Sequence, residues 1–247
     1  MSGVLRSAGA DLWAIARHRP LTGVRLTPSL QVRPRITGTN PTSAAAPQPS
    51  GPLAIIRQLD DDVTTYVARN DLRERVRGFV HEAILRLACR DDVSHLVVNA
   101  HSQGTVLAYD VLREMPPFAA AKVQHLVTAG SPLRKYVDLF YWGTDASGIN
   151  TTPWSNFWDA TDPVADPLEP PRSWRLGDPV PPSSGVSQLY TATDPDTGHT
   201  LPVPLRDTEV SNAAHGAGGG LPAHNYWDND AEFVRPLADI LRGVTAG

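Results

Sequence analysis

Two short runs rich in β-branched residues, His95–Asn99 (HLVVN) and Val123–Thr128 (VQHLVT), stand with one helical segment, Gly104–Glu114, between them. Such runs, bounded by turn residues, read as buried parallel strands, because a strand covered on both faces needs no polar alternation. This pattern constrains the chain more than any other: parallel neighbours need a crossover, and the crossover lays helices on the sheet. The predicted class is α/β, a mostly parallel sheet flanked by helices. Other segments extend it. Leu53–Arg57 is a short strand candidate, and Asp60 or Asp61 caps a helix through Ala68. Asn70 or Asp71 caps a longer helix with Leu72, Val76, Val80, Ile84 and Leu87 at helical spacing. Ser155–Ala160 and Val203–Val210 are weaker strand candidates. Ala231–Arg242 reads as a closing helix, which Pro236 could kink.

Proline divides the rest. Seven of the 23 prolines lie in residues 20–52 and eleven in 153–204, so both stretches should be loop-rich. Residues 1–52 therefore read as a basic, proline-rich tail and linker, poorly ordered, and 53–247 as the folded domain. Net charge is −4, and no polycation built for nucleic acid results. The front is nonetheless basic: residues 1–59 hold seven arginines against Asp11 alone. Residues 4–16 also allow an amphipathic helix with Val4, Leu5, Ala8, Leu12, Ile15 and Ala16 on one side, which leaves peripheral membrane contact or a transit role open. Arg6 and Asp11 interrupt the one apolar stretch that could form a secretory leader. No apolar run has the length of a membrane span, and reduced cytoplasm is the default compartment. The single cysteine, Cys89, excludes an intramolecular disulfide framework and any Cys-based zinc site.

The chemistry concentrates where the first strand ends. Leu96–Asn99 runs into Ala100-His101-Ser102-Gln103-Gly104, and a helix starts at once. This is the arrangement of a nucleophile elbow, with alanine in place of the first glycine. Small residues are needed at both flanks, because the serine occupies a tight turn whose neighbours approach the backbone closely. The turn lifts the Ser102 hydroxyl above the sheet and aims the Gln103 N–H at a developing oxyanion, beside the positive end of the helix. A serine nucleophile needs a histidine held by a carboxylate, in the chain order serine, acid, histidine. Asp159, Asp162 and Asp166 follow the candidate strand at 155–160. Asp162 is favoured because it sits where strand becomes loop, before Pro163. His199, His215 and His224 follow the acid. His199 lies in a turn, and His215 precedes a glycine run poorly suited to hold a ring. His224, flanked by Asn225-Tyr226-Trp227, is favoured as base. His101 should point away from the serine hydroxyl and make a structural hydrogen bond.

Four blocks, HLVVNAHSQGTVLAYDVL, LVTAGSPL, WSNFWDATDPVADPL and DTEVSN…HNYWDND, together with the helical stretch from DDVTTYVARN onward, resemble a lipase-like α/β-hydrolase family over residues 53–243. The resemblance implies Ser102 as nucleophile, Asp162 as acid and His224 as base. It also implies a small-molecule or lipid ester substrate and no cofactor or metal. The departure is at the front. Such enzymes usually place several strands, one ending in a His-Gly-type loop that gives a second oxyanion N–H, before the serine. Here the only His-Gly pair is His215-Gly216. The expectation is an α/β-hydrolase-like domain with a shortened or atypical N-terminal half and an open edge beside the elbow strand. Three readings follow: a serine esterase working through an acyl-enzyme, an acyltransferase with the same triad, or a hydrolase-like remnant that binds a partner. The proline-rich segment 163–204, with Trp174 and Tyr190, could overlie the site as a cap or run as a plain surface loop. Without Gly-x-Gly-x-x-Gly or a Walker-type lysine loop, a nucleotide-binding domain finds little support. The sequence leaves oligomeric state undetermined.

Overall fold

In the computed structural model, which describes residues 4–7, 10–15, 63–175, 177–194, 196–215 and 218–246, the run around Val97 lies inside a six-stranded sheet of order β1-β2-β3-β4-β5-β8. Its strands are β1 (Val4–Ser7), β2 (Ala10–Ile15), β3 (His95–His101), β4 (Val123–Ala129), β5 (Trp154–Trp158) and β8 (Leu205–Glu209). β3, β4, β5 and β8 pair in parallel. A separate antiparallel pair, β6 (Ala192–Thr193) and β7 (Thr200–Leu201), lies in the loop before β8. The helices are α1 (residues 63–68), α2 (Asn70–Ala88), α3 (Gln103–Leu112), α4 (Pro117–Ala120), α5 (Leu133–Phe140) and α6 (Arg235–Ala246). The α/β class expected from the strand–helix alternation is observed.

Alternation along β3 assigns the two faces. Leu96, Val98 and Ala100 join one core with Val80, Ile84 and Leu87 of α2 and the apolar side chains of α3. Val97 faces the other way, into a smaller core with Val127, Phe157, Tyr226, Phe233 and Leu237. Gly104 through Leu112 of α3 are all buried, as expected of a helix enclosed on every side. That helix buries one acid, Asp110, whose carboxylate accepts Tyr66 Oη and Trp142 Nε1, each at 2.9 Å. The turn before α6 widens to π form over Asp230–Val234. Val234 N reaches back five residues to Asn229 O at 3.0 Å, and Pro236 stands just after this turn, at the second residue of α6.

The front of the chain corrects one expectation. Residues 1–52 read as a tail, with an amphipathic helix over 4–16 as one allowance, but residues 4–7 and 10–15 are strands: β1 and β2 pair antiparallel, and β2 lies along β3 with Leu12 opposite Val98. A short helix has little stability by itself, whereas a strand edge offers a full row of donors and acceptors. The edge of β3 expected to be open is therefore paired. The linker Thr37–Pro52 and the strand candidate Leu53–Arg57 lie outside the described residues. Among the described residues no helix is long and apolar enough to cross a membrane.

The proline-rich segment after β5 sends part of its length into the core. Leu168, Leu189, Tyr190 and Val203 are part of the main core, and the Tyr190 ring packs on Tyr109 and Trp154. Prolines leave carbonyls without matching N–H groups, and the buried Arg134 supplies the donors. Its guanidinium bonds the carbonyls of Pro167, Pro170 and Pro171 and lies over the Trp174 ring. Asp207 of β8 accepts the N–H groups of Leu168 and Glu169 at 2.8 and 2.7 Å. Burial pushes this carboxyl up to about 6.

His125 of β4 bonds Ser155 Oγ of β5 at 2.9 Å, and burial pulls its ring down to about 4 from the usual 6.5. The unfolded chain therefore binds this proton more readily than the folded one. The stability His125 contributes is complete above about pH 6.5 and is lost as pH falls towards about 4. The gap is worth about 3 kcal/mol at most. Urea unfolding of the wild type and of His125→Gln, compared across pH 7 to 4, should show the variant losing less stability on acidification. Parallel curves would exclude this contribution.

Candidate active site

Ser102 ends β3 and opens α3 with φ 55° and ψ −134°, a region L residues avoid. Its backbone is held on both sides. Ser102 N donates to Ala129 O of β4 at 3.0 Å. Ser102 O accepts Thr105 N at 2.9 Å and Thr105 Oγ1 at 2.8 Å. The sharp turn leaves the Gln103 N–H at the first position of α3, where no carbonyl of the helix can receive it. The Gln103 carboxamide is anchored separately, against the Tyr136 hydroxyl at 2.7 and 2.9 Å.

The three aspartates after β5 take different partners. Asp159 closes a turn: its carboxylate accepts Thr161 N and Oγ1, both at 2.7 Å, and Asn212 N at 2.6 Å. Asp166 pairs with Lys135 Nζ at 2.5 Å. Burial raises its carboxyl, and the lysine opposes that rise. Asp162, fully buried at its side chain, accepts Val164 N on Oδ1 at 2.9 Å and presents Oδ2 to His224 Nδ1 at 2.8 Å. Of the candidate bases, His215 lies 3.7 Å from Glu232, and His199 belongs to an exposed turn. The structure thus brings together Asp162 and His224.

A carboxylate only accepts, so Nδ1 of His224 carries a hydrogen, and in the neutral ring Nε2 is then the acceptor nitrogen. Nε2 is buried and makes no hydrogen bond among the described residues, to Ser102 included. Ser102 and His224 nevertheless share one end of the sheet. His101, the neighbour of Ser102, has its ring centroid 4.5 Å from that of His224. Its Nε2 lies 2.8 Å from the His224 carbonyl, which fixes Nε2–H as donor. This is the structural hydrogen bond anticipated for His101. Burial first, then the facing His224, pulls the His101 ring down to about 4, so it stands neutral beside its neighbour.

Sequence reasoning missed Gly130. It follows Ala129, the acceptor for Ser102 N, at φ +60°, and its own N donates to Phe157 O at 3.2 Å. A Cβ built there would stand 2.7 Å from His224 Cε1 and 2.9 Å from Nδ1. The imidazole can lie where it does only because this residue lacks a side chain. A glycine at the end of a strand, in LVTAGSPL, signals such close approach. Tyr226, anticipated only as an aromatic neighbour, makes two further bonds at the site: its hydroxyl lies 3.1 Å from Asp162 Oδ2 and 3.0 Å from Asp159 N.

Among the described residues, no group of three or more His, Cys, Asp or Glu side chains is placed to hold a metal ion. Comparisons with protein-family models, curated proteins and solved structures give no match.

Gly130→Ala places a methyl against the imidazole on a backbone that disfavours it. If His224 acts as base, the displaced ring should lower the rate of Ser102 modification about 100-fold. Circular dichroism should still report a folded chain. Unchanged reactivity would show that the ring position is immaterial.

Proposed function

We propose that this chain is an α/β-hydrolase-like serine hydrolase of carboxylic esters, with Ser102 as nucleophile, His224 as general base and acid, and Asp162 as the group that orients the base. The observation that carries the reading is the Asp162–His224 bond of 2.8 Å, with Nε2 left buried and unengaged at the sheet end where Ser102 turns into α3. Apo geometry of this kind leaves the nucleophile–base contact to tighten when substrate enters. The ester class of substrate comes from the resemblance of the four sequence blocks.

In this reading Ser102 Oγ attacks the ester carbonyl while His224 Nε2 takes its proton. The tetrahedral oxyanion meets the Gln103 N–H at the positive end of α3. The carbon–oxygen bond to the alcohol breaks, and the imidazolium gives its proton to the leaving oxygen. Water, deprotonated by the same nitrogen, then attacks the acyl-serine. The free acid leaves and Ser102 regains its hydrogen. Asp162 holds the Nδ1–H tautomer throughout and offsets the imidazolium charge without taking the proton. An alcohol in place of water would give transfer in place of hydrolysis by the same steps.

A fluorophosphonate probe and a series of p-nitrophenyl esters test the proposal. Labelling should map to Ser102 and vanish in Ser102→Ala. Ester turnover should fall by about 10⁴ or more in Asp162→Asn and at least as far in His224→Ala. A folded wild-type chain that neither labels nor turns over any ester would leave the binding-module reading in its place.

A further inference from the structure

Asp162 Oδ2 faces two donors from one short segment. The imidazole of His224 approaches at 2.8 Å and the hydroxyl of Tyr226, two residues on, at 3.1 Å. The phenol oxygen also receives Asp159 N–H at 3.0 Å. A main-chain N–H can only donate, so the single phenolic hydrogen is left for the carboxylate. Tyr226 and Asp162 are both buried, and the aspartate side chain is closed to solvent. Burial, then Asp162, raises the phenol far above its usual range, which keeps it protonated. The titratable groups around this pair are His224 on the closing segment, His101 at the end of β3, which acts on His224 and Asp162, and Asp159 just after β5, which acts on Tyr226.

We propose that Tyr226 is a positioning residue of the candidate site: its hydroxyl, bound to the oxygen that His224 faces, fixes the Asp162 carboxylate and limits the negative charge the imidazole meets. The catalytic meaning of this rests on the hydrolase reading; the coupling itself does not. A hydrogen bond to Oδ2 draws charge from it, and the donation is strengthened because Asp159 N–H polarises the phenol from behind. A carboxylate so engaged stabilises an imidazolium less than a bare one does. It still orients the ring but lets the proton leave for the alcohol. The chain supplies base and moderator two residues apart, so one loop conformation sets both.

The test is proton NMR of the His224 ring across pH, assigned by its loss in His224→Gln, for the wild type, Tyr226→Phe and a protein with 3-fluorotyrosine at position 226. Phenylalanine removes the donor, and the ring should titrate at higher pH by on the order of half a unit. Fluorine makes the phenol a stronger donor and should move the titration the other way. The acid limb of the fluorophosphonate-labelling profile should follow in the same directions. A structural role alone would lower the fraction of reactive protein without moving either titration. If both variants titrate like the wild type, the proposal is overturned. If Tyr226→Phe does not fold, the fluorinated protein decides alone, and an unmoved ring again overturns it. If the ring shifts as described but Ser102 never reacts, the coupling stands and the hydrolase reading fails.

Discussion

Ser102 occupies a backbone conformation that costs on the order of 1–3 kcal/mol for a residue with a side chain, and the surrounding structure must enforce it. The enforcement is visible on both sides. The β3–β4 ladder continues one residue past β3, through Ser102 N to Ala129 O. The first turn of α3 then seizes the same residue's carbonyl through Thr105. Because α3 is buried along its length, neither grip can relax without disturbing the main core. The packing of a helix and two strands is in this way converted into the direction of one hydroxyl and one main-chain N–H.

The opposite wall of the site is built from loops, and polar bonds do for it what packing does for Ser102. Asp159 ties the loop after β5 to Asn212, and Asn212 in turn bonds the carbonyl of Ala223, the residue before His224. His101 bonds the carbonyl of His224 itself. The ring is then confined between the His101 imidazole and the bare Cα of Gly130. Two imidazoles this close cannot both carry charge cheaply. Burial keeps His101 neutral down to about 4.

Much of this was legible in the sequence because it follows from short-range rules. HLVVN and VQHLVT are strands, small residues flank Ser102, and Asp162 sits where strand gives way to loop. Periodicity placed the buried face of α2 at Val80, Ile84 and Leu87, although Val76 of the same series is exposed. What was not legible depends on partners distant along the chain. Residues 4–16 carry a helical pattern, yet strand pairing with β3 prevails. Trp174 and Tyr190 stand in a proline-rich stretch that left a cap and a surface loop both open, but the long-range donors of Arg134 and the carboxylate of Asp207 draw part of that stretch into the core. Gly130 looks like any strand-end glycine until His224, distant in sequence, is laid against it.

The polar chemistry of the closing segment shows why its residues stand in the order they do. His224 presents one nitrogen to Asp162 and leaves the other unengaged, on a loop that has no strand to brace it. The segment reaches that end by short 3-10 turns, Leu221–His224 and Tyr226–Asp228, that bury Ala223, Tyr226 and Asn229 at three-residue spacing with His224 half-buried among them. His224 and Tyr226 turn to Asp162 while Asn225 and Trp227 remain exposed. The next inward position, Asn229, caps the turn that leads into α6 by accepting Glu232 N at 2.9 Å, and it also bonds Asn212. The helix that covers the second face of the sheet is thereby registered to His224. A shift of one residue in this segment would expose Tyr226, empty the Oδ2 contact and uncouple α6 from the site together.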